Sequence, residues 1–189
     1  PAYIIHLKVS QLLPWFSFGV AEYCFQGVLV IITAIIMKKM KKSYFFSFVT
    51  AVFYGTLLDI AISVISGIPD DTFVVRVVWY ILGCVMCSFA VSLFFHTYIS
   101  PEAYELIVKE LAEKTRIDIN KIKTAYDLIS CVIGVVLSFS FFGLGHFEGV
   151  KLGTVICAFF NGFLIGQFTK LLEKHFEFKD RFKLRKYFE

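Results

Sequence analysis

The apolar residues of this chain fall into five runs, each about as long as a membrane is thick, and this limits the fold more than any other feature. The runs cover 16–37, 44–65, 74–98, 121–142 and 150–172. A helix rises about 1.5 Å per residue, so about 20 apolar residues cross about 30 Å of hydrocarbon. Polar residues do not recur inside the runs at the spacing a half-wet soluble helix would need. Composition agrees: 58% of the 189 residues are hydrophobic and 18% charged, against about 45–50% and about 25% in soluble domains. Lipid cannot hydrogen-bond an open backbone, so each run must close its own hydrogen bonds as a helix. The expected fold is an all-α polytopic membrane helical bundle, with the lipid bilayer as its first partner.

The charges between the runs set an expected topology. Lys38, Lys39, Lys41 and Lys42 end the first run, Lys109 to Lys123 precede the fourth, and a basic and aromatic tail follows the fifth. These clusters are separated by two runs each, while the loops at 66–73 and 143–149 contain no Lys or Arg. The bias of Lys and Arg toward the cytoplasm places all three clusters on the cytoplasmic side of the membrane. It also puts residues 1–13 outside, so a sixth span is expected ahead of Pro1. The net charge of +4 is thereby read as topology, and no nucleic-acid partner is expected. Residues 1–13 are too short to span and are expected at an interface, followed by a break at Pro14 and an aromatic anchor at Trp15. Ser66 to Asp71 reads as a turn, with Arg76 close to Asp70 and Asp71.

Between the third and fourth runs, Ser100-Pro101-Glu102 opens a charged amphipathic helix. Ser is expected to cap it, Pro to take the first helical position, and Glu to suit its positive end. Tyr104, Ile107, Val108, Leu111 and Thr115 form one face of that helix, with Glu105 and Glu110 on the rest. Asp118 or Asn120 is expected to cap the next helix.

Shifting the chain by 101 residues overlays its two parts. Ala2-Tyr3 falls on Ala103-Tyr104, Lys8 on Lys109, Ile32 on Ile133, Glu22 on Lys123 and Gln26 on Asp127. After six further residues in the second part, Ser47 meets Thr154 and Gly55 meets Gly162. The order repeats too: a short helix, a span with a polar i,i+4 pair, a loop, and a span with a small-residue face. Two three-span units are expected, residues 1–73 (lacking a first span) and 74–172, followed by the tail 173–189. An odd number of spans inverts the second unit across the membrane.

Ionisable side chains at membrane depth are costly and mark candidate function. Lys123 and Asp127 are four apart and can pair on one helix face, unless Lys123 snorkels to the surface as part of an interfacial salt bridge. Asp59 lies deeper, with no partner in sequence; it either binds a proton or cation or pairs with another helix. Glu22 and Gln26 would mirror Lys123 and Asp127, giving two polar clusters, one toward each side. Glu102 completes the candidate solute or ion path, although a capping role is the simpler expectation for it. Gly55, Gly162 and Gly166 are candidates for close helix packing. His96 and His146 are expected at interfaces, and Asn161 and Gln167 as ties between helices. Cys84-x-x-Cys87 lacks a second pair or a nearby His, and small-residue packing is expected of it. No phosphate-binding loop, nucleophile motif or metal spacing occurs, so neither an enzyme nor a cofactor is expected.

The runs FSFGVAEYCFQG (16–27), SYFFSFVTAVFYGTLLD (43–59), SPEAYELIVKELAEKTRIDINKIKTAYD (100–127) and GVKLGT (149–154) resemble the YitT/YczE/YyaS-like family of bacterial multi-pass membrane proteins, over nearly the whole chain. Pro101, Glu102, Lys123, Asp127, Gly149, Val150, Gly153 and Thr154 match that family's second-half pattern. The resemblance implies a multi-pass bacterial membrane protein, with an extra first span and no assigned activity. A small-solute transporter alternating between inverted halves is the expected function. The alternatives are a ligand-binding subunit needing an energising membrane partner, or a structural or regulatory protein; a homo-oligomer is compatible with each.

Overall fold

Each long apolar run becomes one helix, and local polar chemistry decides where it starts. The computed structural model describes residues 1–67, 72–97 and 100–179. The elements are α1 (Ala2–Val9), α2 (Phe18–Met37), α3 (Lys42–Ile65), α4 (Phe73–Phe95), α5 (Ala103–Thr115), α6 (Ile119–Phe142) and α7 (Leu152–His175). No strand occurs among the described residues. The helices α2, α3, α4, α6 and α7 are all long and apolar enough to cross a membrane. This makes the chain a multi-pass helical membrane protein. The expected turn at 66–71 and the far end of the tail fall largely outside the described residues.

Helix starts differ from the apolar runs where a cap competes. The first run begins at residue 16, but α2 begins at Phe18, because the Ser17 hydroxyl accepts the Val20 N–H at 3.1 Å. The fourth run begins at 121, yet α6 starts at Ile119, because Asp118 accepts the N–H groups of Asn120 and Lys121. Of the two expected caps, Asp118 is the one used.

The connectivity gives two hairpins, α2 with α3 and α6 with α7, with α4 laid along α7. The short helices cross between them: α1 packs on α2 and α6, and α5 packs on α2, α3 and α6. Residues 1–13 are therefore not simply an interfacial segment, because Ala2 and Ile4 are buried inside the bundle. Each short helix also ties down the far hairpin. Lys8 Nζ of α1 donates to the Phe141 carbonyl at the end of α6 (3.3 Å), and Lys114 Nζ of α5 donates to the Ile36 carbonyl at the end of α2 (3.0 Å). A cation at a helix C-terminus meets carbonyls that have no partner in their own helix.

Close packing within each hairpin depends on one missing side chain. A Cβ on Gly55 of α3 would lie 2.7 Å from the Gly19 carbonyl oxygen of α2, and one on Gly162 of α7 would lie 2.9 Å from the Asn120 carbonyl oxygen of α6. Gly166 likewise faces the Asn120 side chain. All three glycines thus serve packing inside this chain, as small residues do where helix backbones approach in lipid.

The outward faces are apolar. Phe45, Phe53 and Leu57 on α3, and Val74, Trp79 and Met86 on α4, are exposed, as lipid-facing residues should be. The protein-facing core is small. Leu29, Val30, Tyr44, Ala103 and Leu106 meet where α2, α3 and α5 converge.

Candidate functional site

The start of α5 is the point to which both hairpins bring their polar groups. Ser100-Pro101-Glu102 does not cap the helix as its composition suggests. Glu102 is the N-cap residue without a side-chain cap bond, and Ala103 is the first helical residue. Hydroxyls of α3 hold the connecting carbonyls instead: Ser47 donates to Pro101 O, and Thr50 donates to Ser100 O at 3.2 Å. The free Ala103 N–H donates to Gln26 Oε1 of α2 at 3.0 Å. A side chain from another helix thus supplies the cap.

That bond fixes the Gln26 amide. With Oε1 engaged by an N–H, its Nε2 is turned to donate to the Glu102 carboxylate at 3.0 Å. Gln26 is fully buried, and both ends of its amide are satisfied, as burial requires. One turn away, the Tyr104 hydroxyl donates to Glu22 at 2.8 Å. Burial first, and then the Glu22 charge, raise the Tyr104 hydroxyl above its usual range, so it stays a donor.

On the opposite side, Lys123 of α6 is 5% exposed. It donates to Glu105 of α5 at 3.0 Å and pairs with Asp127 at 3.1 Å. The expected Lys123–Asp127 pair is present, but the snorkelling alternative is corrected: the ammonium is turned inward, because two carboxylates hold it there. Asp127 also accepts from Asn161 Nδ2 of α7 at 3.2 Å, and Asn161 Oδ1 accepts from Ser88 of α4 at 3.0 Å. The expected role of Asn161 as a tie between helices is met across three of them.

Glu22, Gln26, Glu102, Lys123 and Asp127 thus belong to one network, not to two clusters toward opposite sides. The reason is α5. It buries residues that the apolar pattern assigned to water, Glu105 and Glu110 among them, and its first turn touches both polar pairs. Sequence reasoning missed Glu105, Tyr104 as a polar partner, and Ser47. Glu105 sits three residues after Glu102 on the same helix, and that spacing was the available signal.

Asp59 stands apart. Its carboxylate accepts from the Ser17 hydroxyl at 2.5 Å and from the Gly19 N–H at 2.8 Å. An anion here satisfies the open N–H groups at the start of α2 and suits its positive end. Of the two expectations for Asp59, pairing with another helix is the one observed.

Glu102 is the least constrained carboxylate of the network. Burial first, then the neighbouring Glu105 charge, raise its carboxyl to about 8, although the Gln26 hydrogen bond and Lys123 pull the other way. Beside the network, an apolar cavity of about 250 Å³ lies along the contact of α4 with α7, lined by Tyr80, Cys84, Cys157, Phe160 and Asn161 among others. Asn161 therefore borders both the cavity and Asp127.

The motif near the start of α7 is structural. Gly149 has φ +71° and lies against Tyr3 and Ile4 of α1, Val150 is buried, and the Gly153 carbonyl accepts the Tyr80 hydroxyl at 2.6 Å. A side chain at Gly149 would meet both a strained backbone and α1. The polar network and this motif are thus separate: one holds charge between the hairpins, the other seats α7 and α1.

Comparison with curated proteins and with solved structures returns no match. Residues 1–170 match DUF6198, a family of unknown function, and by that coverage the chain belongs to DUF6198.

Proposed function

We propose that this membrane protein moves a small solute by alternating access between two related, inverted halves. The observation that carries the reading is the placement of the buried charges. Glu22 and Gln26 of α2 and Lys123 of α6 meet on the first turn of α5, a helix too short to span, between the two hairpins, and Asp127 joins them through Lys123. Charges at this depth are costly unless they line a path or hold a solute, and transporters built from repeats place their sites at such a boundary.

The helix crossings support a repeat. Gly19 and Tyr23 flank Gly55, and Asn120 and Thr124 flank Gly162. The flanking residues are related by the same offset of 101 that overlays Glu22 on Lys123 and Gln26 on Asp127. The cross-bracing by Lys8 and Lys114 follows the same logic, with each short helix reaching the other half. The resemblance to the YitT/YczE/YyaS-like family fits this reading. So does a bacterial inner membrane, with Lys38–Lys42, residues 100–123 and the tail on the cytoplasmic side.

The test is reconstitution in liposomes and a screen of small solutes. The reading expects a solute whose flux falls at least about tenfold, or about 1.4 kcal/mol, in Asp127→Asn and in Glu102→Gln. Flux unchanged in both variants would overturn the site. A ligand-binding subunit docking an energising partner stands second, because Gly162 and Gly166, the small-residue face expected to receive that partner, are already occupied by α6.

A further inference from the structure

We propose that Glu102 is the proton-exchanging group of this network, so that solute passage is coupled to one proton carried on its carboxyl. The inference rests on the transporter reading and adds the coupling ion to it. Within the network, one ammonium faces four carboxylates. Lys123 is shared by Glu105 and Asp127 at 3.0 and 3.1 Å, and these two have no further cation among the described ion pairs. Glu22 is held by the Tyr104 hydroxyl. Among the described residues, Glu102 receives a neutral amide only, from Gln26, and it is less buried than Glu22 or Glu105.

The groups within reach of Glu102 come from every side. They are Glu22 on α2, Tyr54 on α3, Cys87 on α4, Glu105 on its own helix and Lys123 on α6. Two of the five are acids that oppose a second negative charge, and the single cation is already spoken for. The positive end of α5 would favour ionisation by about 0.3–1 kcal/mol, but the Glu102 side chain accepts no N–H of that helix end, and the Ala103 N–H goes to Gln26. Burial and the two neighbouring acids therefore outweigh it, in line with a carboxyl raised to about 8.

The exchange is a single step. The O–H bond of the Glu102 carboxyl breaks, its electron pair stays on oxygen, and the proton leaves to water. The carboxylate regains a proton from the opposite side, or is neutralised by a cationic group of the solute.

Infrared difference spectra of the purified protein, titrated through the neutral and mildly alkaline range, read the carboxyl directly. A protonated-carboxyl band should disappear with a midpoint near pH 8. It should be missing in Glu102→Gln, present in Glu22→Gln, and displaced in Glu102→Asp. A band of unchanged midpoint surviving in Glu102→Gln would overturn the assignment, as would a parent protein with no carboxyl titrating above the ordinary carboxylate range. If the band behaves as expected but liposomes move no solute, the transporter reading and the coupling fall together while the proton site stands, so the two failures are distinct.

Discussion

Lys123 donates to Glu105 at 3.0 Å, joining the span α6 to the non-spanning helix α5 across a helix boundary. The same ammonium reaches Asp127 at 3.1 Å. One side chain thus neutralises two carboxylates that no other described cation reaches.

Removing it should be severe. Lys123→Met leaves Glu105 and Asp127 buried without a counter-charge, at a cost of about 3–5 kcal/mol. The measurement is the melting temperature of the detergent-solubilised protein. Lys41→Ala removes the more exposed pair with Glu110, whose lysine is 36% exposed, and should cost about 0–1 kcal/mol. Equal losses in the two variants would mean that Lys123 is hydrated.

Asp59 should behave as a cap and not as part of the path. Asp59→Asn keeps an acceptor for the Gly19 N–H, so stability should fall by less than about 1 kcal/mol, while Asp59→Ala should lose about 0.5–2 kcal/mol. Solute flux in liposomes should survive Asp59→Asn. A flux lost there without a change in melting temperature would return Asp59 to the path.

Much of this is legible in the sequence. Span number followed from apolar length alone, because backbone in lipid has little choice. The Lys123–Asp127 pair followed from helical spacing. Gln26 as the cap of α5 did not, because a cap is read from its neighbours in sequence and Gln26 lies 77 residues from Ala103. Glu105 reads as solvated because α5 is amphipathic by pattern, but Lys123 of α6 covers it, while Glu113 and Lys114 on the same helix stay exposed. Asp59 looked unpartnered for the same reason: its donors, Ser17 and Gly19, lie 42 and 40 residues away.

The glycine crossings give a test of the two related halves. Gly55→Leu and Gly162→Leu should each push a hairpin apart and lose about 1–3 kcal/mol or more, and by similar amounts if the positions correspond. Gly67→Ala is the control, since a Cβ there meets nothing within 4 Å. A Gly162→Leu protein that melts with the parent would deny the close approach of α6 and α7.

Cys84 of α4 and Cys157 of α7 have their sulfurs 4.0 Å apart. A disulfide needs about 2.05 Å between sulfurs, so the sulfurs must close by about 2 Å for the bond to form. A membrane-permeant two-electron oxidant should take two electrons from the pair, release two protons and lock α4 to α7. Thiol alkylation under denaturing conditions should then find two fewer sites, and Cys84→Ser should abolish the difference. Loss of Cys87 in place of Cys84 would place the two helices in a different register.

The pH dependence of stability separates Glu102 from its neighbours. Its carboxyl keeps a proton up to about 8 in the folded protein, against 4.5 for the free group. Between those values the folded state binds more protons than the unfolded one. This contribution is therefore fully present below 4.5, declines as pH rises by at most about 1.4 kcal/mol per unit, and levels off above about 8. Glu102→Gln imitates the protonated form and cannot ionise. It should match the parent in mild acid and melt at a higher temperature than the parent above pH 8, with the gap opening between those conditions. A Glu102→Gln protein that is less stable than the parent in alkali would mean that the ionised carboxylate, not the neutral carboxyl, is what the fold holds between its two hairpins.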